Sequence, residues 1–169
     1  MQPTVRLPPL PHRDTGDGIR IRSATASDID RVLQLETEAF SDAWTRSSFV
    51  QLLGDTRSLF AVACGDDGLV HGYVVAWYVA DEGEIANLAV ASTSRRRGIG
   101  GMLLDTALDA ARARNAASVY LEVRDSNESA QALYASRGFE PVMRRRRYYR
   151  APTEDALVLK LDLRASRDA

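Results

Sequence analysis

The sequence contains one cysteine and two histidines among its 169 residues. A single cysteine excludes an intramolecular disulfide and any Cys-rich zinc site. Because Cys64 lies in the apolar stretch SLFAVAC, we expect a buried, unreactive thiol. The two histidines, His12 and His71, are too few for a multi-histidine metal site and give little support to a Ser-His-Asp triad. No metal ion is therefore expected.

Long apolar runs and excess charge of one sign are also missing. No stretch approaches the roughly 20 apolar residues that cross a membrane, and a net charge of −1 gives no bulk basic charge for general nucleic-acid binding. Residues 1–18 are rich in proline and polar residues and lack the apolar segment of a secretory signal. We expect a cytoplasmic protein, most simply a monomer, with a disordered leader at 1–18, one domain at 19–163 and a flexible tail at 164–169.

From Ile19 onward, strand-like stretches and stretches with helical spacing follow one another, which is typical of an α/β domain. Thr25 or Ser27 is expected to cap the first helix and Ser126 the last. The pattern predicts a mixed sheet of about seven strands with helices on both faces. The predicted strands lie in IRIRSA, SLFAVAC, VHGYVVAWYVA, GEIANLAV, SVYLEVR, residues 139–149 and DALVLKLDL.

An unusual stretch, SRRRGIGGMLLD, joins one of these strands to an amphipathic helix. It lacks the Gly-Lys-Ser/Thr of a Walker loop, and its glycine spacing and late position do not fit a dinucleotide fingerprint. A pyrophosphate cradle fits better: backbone N–H groups of Arg96–Gly101 would bind the anion at a helix N-terminus, and Arg95–Arg97 would add positive charge. A solvated arginine turn remains the alternative from these residues alone.

Three stretches together resemble the GNAT N-acetyltransferases. RRRGIG is similar to their Q/R-x-x-G-x-G/A motif. YLEVRDSNESAQALYASRGFEPV and RRRRYYRAPTEDALVLKLDL resemble the branch of ribosomal-protein alanine N-acetyltransferases. The likeness extends over about residues 19 to 163. It implies the GNAT fold, with a sheet splayed between its fourth and fifth strands and acetyl-CoA in the gap.

The resemblance also implies which residues bind acetyl-CoA. Backbone groups of the fourth strand would bind the acetyl and pantetheine region, the arginine–glycine loop the pyrophosphate, and one asparagine the CoA arm. Two positions depart from the pattern: Arg97 stands where many relatives have Gln or Gly, and Gly101 where a basic residue is common. The implied cofactor-binding residues are Leu88, Ala89, Val90, Arg95, Arg96, Arg97, Gly98, Ile99, Gly100, Gly101 and Asn127.

Acetyl transfer from a thioester to an amine needs a base for the amine, a donor for the developing oxyanion and an acid for the thiolate. The resemblance implies that Glu122 is the base and Tyr134 the acid, with a backbone N–H of Leu88–Val90 facing the oxyanion. Glu84 is a second candidate for the base, acting through water. Without the resemblance, Glu122 could simply pair with a neighbouring arginine, and Tyr134 could be a core residue.

The residues that bind the acceptor are predicted from weaker signals. Trp44, Arg146, Tyr148 and Tyr149 are expected to bind the acceptor; a core tryptophan and a solvated edge strand are the alternatives. Within the strand at 139–149, regular alternation would place residues 144–149 alternately on its two faces, three on each. One face would carry Arg144, Arg146 and Tyr148, and the other Arg145, Arg147 and Tyr149.

The sequence thus predicts an acetyl-CoA-dependent enzyme that acetylates the N-terminal alanine of a small-subunit ribosomal protein. Other acceptors remain open: a lysine side chain, a range of protein N-termini or a small amine. A ribosome- or RNA-binding module that uses Arg144–Arg147 is the alternative from another functional class; strongly salt-dependent RNA binding would reveal it.

Overall fold

The computed structural model of the chain describes residues 9–11 and 13–165, which form a mixed seven-stranded sheet and four α-helices. The sheet predicted from the alternating pattern is therefore confirmed. In chain order the elements are β1 (Arg20–Ser23), α1 (Ile29–Ala39), α2 (Arg46–Leu52), β2 (Ser58–Cys64), β3 (Val70–Val79), β4 (Glu82–Val90), α3 (Ile99–Ala113), β5 (Ser118–Arg124), α4 (Glu128–Ser136), β6 (Glu140–Tyr149) and β7 (Glu154–Asp162).

The sheet has the strand order β1-β2-β3-β4-β5-β7-β6. All neighbouring strands are antiparallel except β4 and β5, which are parallel and joined through α3. A parallel pair requires such a crossover because the chain must return to the same edge of the sheet. The parallel pair therefore divides the sheet into an N-terminal half, β1–β4, and a C-terminal half, β5–β7.

Two apolar cores cover the two faces of the sheet, as the sequence predicts. On one face α1 and α2 pack on the sheet, in a core that contains Phe49 of α2 and Tyr73 of β3. On the other face α3 and α4 pack through residues such as Leu103 and Tyr134. The sequence of β3 is apolar almost throughout because alternate side chains enter different cores and nearly all are buried.

The predicted splay lies between β4 and β5. The two strands pair only from Glu82–Ser118 to Ile85–Leu121, although both continue beyond that point. A β-bulge explains the separation, because Ala86 is an extra residue in β4 between those that pair with Val75 and Ala76 of β3. Beyond the bulge β4 follows β3 and leaves β5.

Helix α4 begins one residue later than predicted. Asn127, and not Ser126, is the N-cap, since its Oδ1 accepts from the Ala130 N–H at 3.2 Å. The backbone N–H of Ser126 instead donates to Glu154 Oε1. The prediction of Ser126 as the cap was wrong. Serine and asparagine both suit an N-cap, and the choice between them depends on the hydrogen bond from Ser126 to Glu154, which the sequence does not reveal.

Part of the predicted leader contacts the domain. Leu10 packs against the core on the α3 face. Arg13 forms ion pairs with Asp105 and Asp109 of α3, and Asp17 pairs with Arg97. Residues 1–8, 12 and 166–169 of the predicted leader and tail lie outside the described residues, so the division of the chain into leader, domain and tail stays a prediction. Within the described residues, 9–11 and 13–165, no helix is long and apolar enough to cross a membrane.

Candidate active site

The edge of β4 that faces β5 is the first part of the site. In the described chain, β4 has no partner strand on this side from Ala86 to Val90, because pairing with β5 stops at Ile85. An edge of this kind can bond an extended ligand through its peptide groups. Leu88 and Val90 direct their side chains to the core beside α3, and Ala89 packs in the opposite core. The predicted residues of the fourth strand therefore line the gap.

The loop before α3 is the second part. Arg95, Arg96 and Arg97 are all exposed, and Arg96 and Gly98 have positive φ values of 63° and 75°. The first N–H groups of α3 have no acceptor within the helix, and the positive end of the helix dipole lies at the same point. The loop therefore offers hydrogen-bond donors and positive charge to an anion, and its binding of the pyrophosphate stays a prediction.

The glycines of this loop keep the space beside it open. A Cβ at Gly100 would lie 3.4 Å from Leu133 Cδ2 and 3.7 Å from Val90 Cγ2. A larger side chain there would therefore fill the space between β4 and α4. Asn127, at the start of α4, is exposed and uses only its Oδ1 for capping, which leaves its amide N–H₂ group facing solvent.

Arg137 explains the glycine that departs from the family pattern. A Cβ at Gly101 would lie 2.6 Å from Nη2 of Arg137, which reaches the first turn of α3 from the end of α4. Its Nε donates to Asp105 Oδ1 at 3.0 Å, and this pairing raises the pKa of Arg137. A basic side chain is thus present near the loop, although it comes from a different part of the chain. Sequence reasoning missed this residue because spacing within the motif carries no sign of it.

A cavity of about 420 Å³ opens on the α1 and α2 face beside the gap. Its wall combines carboxylates with aromatic side chains, so it suits a cationic or peptide-like acceptor. Four of the predicted site residues contribute to it, namely Trp44, Glu122, Tyr148 and Tyr149, together with the rival base Glu84. Arg146 does not line the cavity, and the predicted acid Tyr134 lies in the opposite core.

Glu122 makes the ion pair that the alternative interpretation proposed. Arg145 Nε lies 2.8 Å from Glu122 Oε1, and both side chains are partly exposed. Tyr148 faces the same carboxylate, and its pKa is raised chiefly by the hydrogen bond to Glu122. The pair with Arg145 does not exclude a catalytic role, because a partly exposed carboxylate can exchange its guanidinium partner for water or for a bound ammonium group.

The predicted alternation along β6 is wrong. The pairing of β6 with β7 shifts between Arg145 and Tyr149, and Arg147 has a positive φ of 50°. This irregularity brings Arg145 and Tyr148 to the same side, with the guanidinium 5.7 Å from the ring centroid. Arg144 does not join Arg145 and Tyr148; its guanidinium pairs with Asp125 and Asp155.

Tyr149 stands at the edge of the gap. Its ring lies under the guanidinium of Arg124, 4.3 Å from centroid to Cζ. Burial, followed by the charge of Glu122, raises the pKa of Tyr149 to about 12. The phenol therefore stays neutral at physiological pH and offers a hydroxyl to the cavity.

Glu84 and Glu122 face the same cavity for a simple geometric reason. Glu84 pairs with Tyr120 of β5, and Glu122 follows two residues later on the same face. The Oε2 of Glu84 accepts from Trp77 Nε1 at 3.2 Å. The Trp77 ring in turn stacks on Trp44, with centroids 5.6 Å apart and planes inclined by 3°. Trp44 is therefore a wall of the cavity and also part of the packing on this face.

Tyr134 is buried on the other face of the sheet. Its ring contacts Phe139 edge-on at 5.9 Å, and burial raises the pKa of Tyr134 to about 12. It packs in the same core as Leu88 and Val90. Because the sheet is split beside β4, a group on this face can reach a ligand in the gap from the side opposite to Glu122.

Comparison with known proteins identifies the family of this chain. Residues 29–139 match the acetyltransferase (GNAT) family. The chain belongs to the GNAT acetyltransferase family. It is 34% identical over 143 residues to the [ribosomal protein bS18]-alanine N-acetyltransferase of Salmonella typhimurium, covering 82% of this chain and 94% of that one. It is 32% identical over 147 residues to the Escherichia coli protein of the same name, covering 85% and 97%.

Solved structures agree with this assignment. The E. coli ribosomal-protein-S18-alanine N-acetyltransferase superposes with a TM-score of 0.78 at 31% identity, covering 86% of this chain and 94% of that one. A chain of the NatC complex bound to Gag peptide and CoA superposes with a TM-score of 0.77 at 25% identity, covering 86% and 99%. This GNAT chain is an N-acetyltransferase, and acetyl-CoA is its cosubstrate.

Proposed function

We propose that this GNAT enzyme acetylates the N-terminal α-amino group of a protein, and specifically the N-terminal alanine of a small-subunit ribosomal protein. The observation that carries the proposal is the cavity in which Glu84 and Glu122 lie beside the unpaired edge of β4. The names and coverage of the relatives support the alanine acceptor. A ribosomal acceptor would place the enzyme in the cytoplasm.

The residues around the gap fit acetyl-CoA, which when bound supplies a thioester carbonyl for the amine to attack and a thiolate that leaves. In this proposal the backbone of Leu88–Val90 bonds the pantetheine arm and faces the carbonyl oxygen. Backbone N–H groups and arginines of the loop at 95–101 hold the pyrophosphate. The exposed amide of Asn127 donates to the arm of the cofactor.

The proton transfers are assigned to two residues on opposite sides of the gap. Glu122 takes one proton from the α-ammonium group, directly or through water, and so frees the nitrogen lone pair that forms the nitrogen–carbon bond. The nitrogen then loses its second proton to water. Tyr134 donates its hydroxyl proton to the sulfur as the carbon–sulfur bond breaks. Solvent then returns a proton to Tyr134 and removes one from Glu122. Glu84 is the alternative base, acting through water from the same cavity.

The first experiment compares two peptides of the same ribosomal-protein sequence, one with a free N-terminal alanine and one with a blocked N-terminus. Release of CoA from acetyl-CoA is measured for both. We expect release with the free terminus alone, because the proposed acceptor is the α-amino group. The two peptides contain the same lysine side chains, so they differ only at the N-terminus. Release with both peptides would move the activity to lysine side chains, and release with neither would point to a small amine.

A second prediction concerns the ion pair between Asp17 and the phosphate loop. Asp17 Oδ2 lies 2.6 Å from Nη2 of Arg97, so it neutralises a cation that the proposal assigns to the pyrophosphate. We expect Asp17→Asn to tighten acetyl-CoA binding by up to about fivefold, since an exposed pair is worth about 0.2–1 kcal/mol. Calorimetric titration measures the dissociation constant.

The control for this change is Asp30→Asn. It removes an equal charge from an exposed pair with Arg46 on the other face of the molecule. An effect of Asp17→Asn that Asp30→Asn reproduces would come from net charge alone. Unchanged or weaker binding in Asp17→Asn would show that Arg97 does not contact the cofactor.

A further inference from the structure

Glu36 is a buried carboxylate that the proposed proton transfers do not use. It lies on the inner face of α1 with 0% of its surface exposed. Its Oε1 accepts from the backbone N–H of Trp44 at 3.0 Å and from Asn87 Nδ2 at 2.9 Å. Its Oε2 accepts from Asn87 Nδ2 at 3.0 Å and from the hydroxyl of Tyr73. Every hydrogen-bonding position of the carboxylate is therefore used.

All of these donors are neutral. Among the described residues, no arginine, lysine or histidine forms an ion pair with Glu36, although the chain contains many ion pairs at its surface. Burying a carboxylate without a cation is far more costly than burying an apolar side chain of the same size, and hydrogen bonds from neutral donors offset only part of that cost. A leucine would serve the core better, so the carboxylate must do something that an apolar residue cannot.

One of its partners, Asn87, belongs to the bulged part of β4. Asn87 follows the extra residue Ala86 directly and pairs with Val75 of β3. On its other side the strand faces the gap without a partner from β5. The hydrogen bonds from Asn87 to Glu36 therefore anchor, from α1, the point at which β4 turns away from β5.

The other partner, Trp44, belongs to the loop between α1 and α2. Its indole stacks on Trp77 and forms a wall of the cavity that also contains Glu122. The same carboxylate thus holds the strand that carries the acetyl group in the proposed function and the loop that faces the acceptor. One oxygen, Oε1, accepts from both.

We propose that Glu36 is a positioning residue for acetyl transfer. Its carboxylate sets the separation between the bulged segment of β4 and the loop at Trp44, and so aligns the cofactor edge with the acceptor cavity. This inference rests on the proposed placement of acetyl-CoA along Leu88–Val90. A buried acceptor oxygen is required because one side chain must receive donors from the strand and from the loop, and Oε1 of Glu36 receives both.

Three variants separate positioning from packing. Glu36→Met keeps the length but removes both acceptor oxygens. Glu36→Gln keeps Oε1 for Trp44 and Asn87, while its amide can donate to the hydroxyl of Tyr73. Tyr73→Phe removes one donor from the same carboxylate and leaves the contacts with Trp44 and Asn87 intact.

We expect Glu36→Met to lower kcat about 10- to 100-fold, since a displacement of about 1 Å at the reacting atoms costs about that much. The dissociation constant of acetyl-CoA should change less than about threefold, because the pyrophosphate loop belongs to α3. Glu36→Gln should restore most of the activity, and Tyr73→Phe should retain it. Asn87→Ala should lower kcat similarly, with no further loss when combined with Glu36→Met.

Amide NMR spectra of the CoA-bound proteins test the alignment without any acceptor. We expect the signals of Ala86, Asn87 and Leu88 to shift in Glu36→Met and to shift much less in Tyr73→Phe, where the direct change lies at Ala89, the partner of Tyr73 across the strands. A folded Glu36→Met protein with wild-type kcat and unshifted signals would overturn the proposal and leave Glu36 as a core residue. If the wild-type enzyme acetylates no N-terminal peptide, the proposed acceptor is wrong, and the spectra still decide the role of Glu36.

Discussion

Replacing Glu122 with glutamine is expected to lower kcat about a hundredfold or more at pH 7, since general base catalysis contributes about 10²–10⁴-fold. At about pH 9.5 the loss should be roughly tenfold smaller, because an α-amino group with a pKa of about 7.7–8.0 is then already neutral. The change keeps the shape of the side chain and removes its ability to take a proton. Initial rates of CoA release across this pH range, with a free N-terminal peptide at saturation, provide the measurement.

Two control variants test the alternatives for Glu122. Arg145→Gln breaks the same ion pair and leaves the carboxylate in place, so it should retain most of the activity. If it fails as badly as Glu122→Gln, the ion pair and not the base is what matters. Glu84→Gln removes the second carboxylate of the cavity. A pH-dependent loss in Glu84→Gln, with equal losses at every pH in Glu122→Gln, would transfer the role of base to Glu84.

The fold could be predicted because its periodic signals are strong. β3 is apolar on both faces, and α3 carries a continuous stripe of leucine and alanine, so strand and helix are hard to confuse. The parallel pair follows from the helix between β4 and β5. The bulge at Ala86 could not be predicted, since it depends on the register between two strands and no glycine or proline marks it.

The candidate site could be predicted only where a motif carries it. The loop at 95–101 is a local feature and lies where the sequence indicates. The partners of Glu122 are not local: Arg145 reaches it across β7. Tyr148 joins Arg145 on the same side because the pairing of β6 shifts where Arg147 adopts a positive φ, which an arginine rarely does. Arg137 meets Gly101 through the packing of α4 on α3, and the resemblance contains no sign of that contact.

Helical spacing in α1 marks Glu36 as unusual, although no strand alternation and no motif does so. Ile29, Val32 and Leu33 define an apolar stripe with spacing i, i+3 and i+4, and the next position of that stripe is residue 36. An acidic residue at a buried helical position is a departure from binary patterning that usually has a functional cause. The sequence therefore identifies Glu36 as unusual, while its partners Trp44, Asn87 and Tyr73 require the structure.

Replacing Tyr134 with phenylalanine is expected to lower kcat about 10- to 100-fold and to leave the dissociation constant of acetyl-CoA nearly unchanged. The loss lies at the lower end of the range for general acids, because a thiolate with a pKa near 8.5 leaves readily without full protonation. Burial raises the pKa of Tyr134 to about 12, so the phenol stays protonated across the working range. We therefore expect the ratio of wild-type to variant kcat to be constant from about pH 6 to pH 10, in contrast to Glu122→Gln.

The matched control is Tyr78→Phe, because Tyr78 is another buried tyrosine of the same core. Its hydroxyl donates to the carbonyl of Ala107 at 2.8 Å, away from the gap. Tyr78→Phe should lower the free energy of unfolding by about 1 kcal/mol and leave kcat intact. Loss of CoA binding in Tyr134→Phe, or an equal loss of kcat in both variants, would make Tyr134 a packing residue. A selective loss in Tyr134→Phe would mean that its hydroxyl acts on the leaving sulfur from the face opposite to Glu122, so that the split sheet separates the acid from the base.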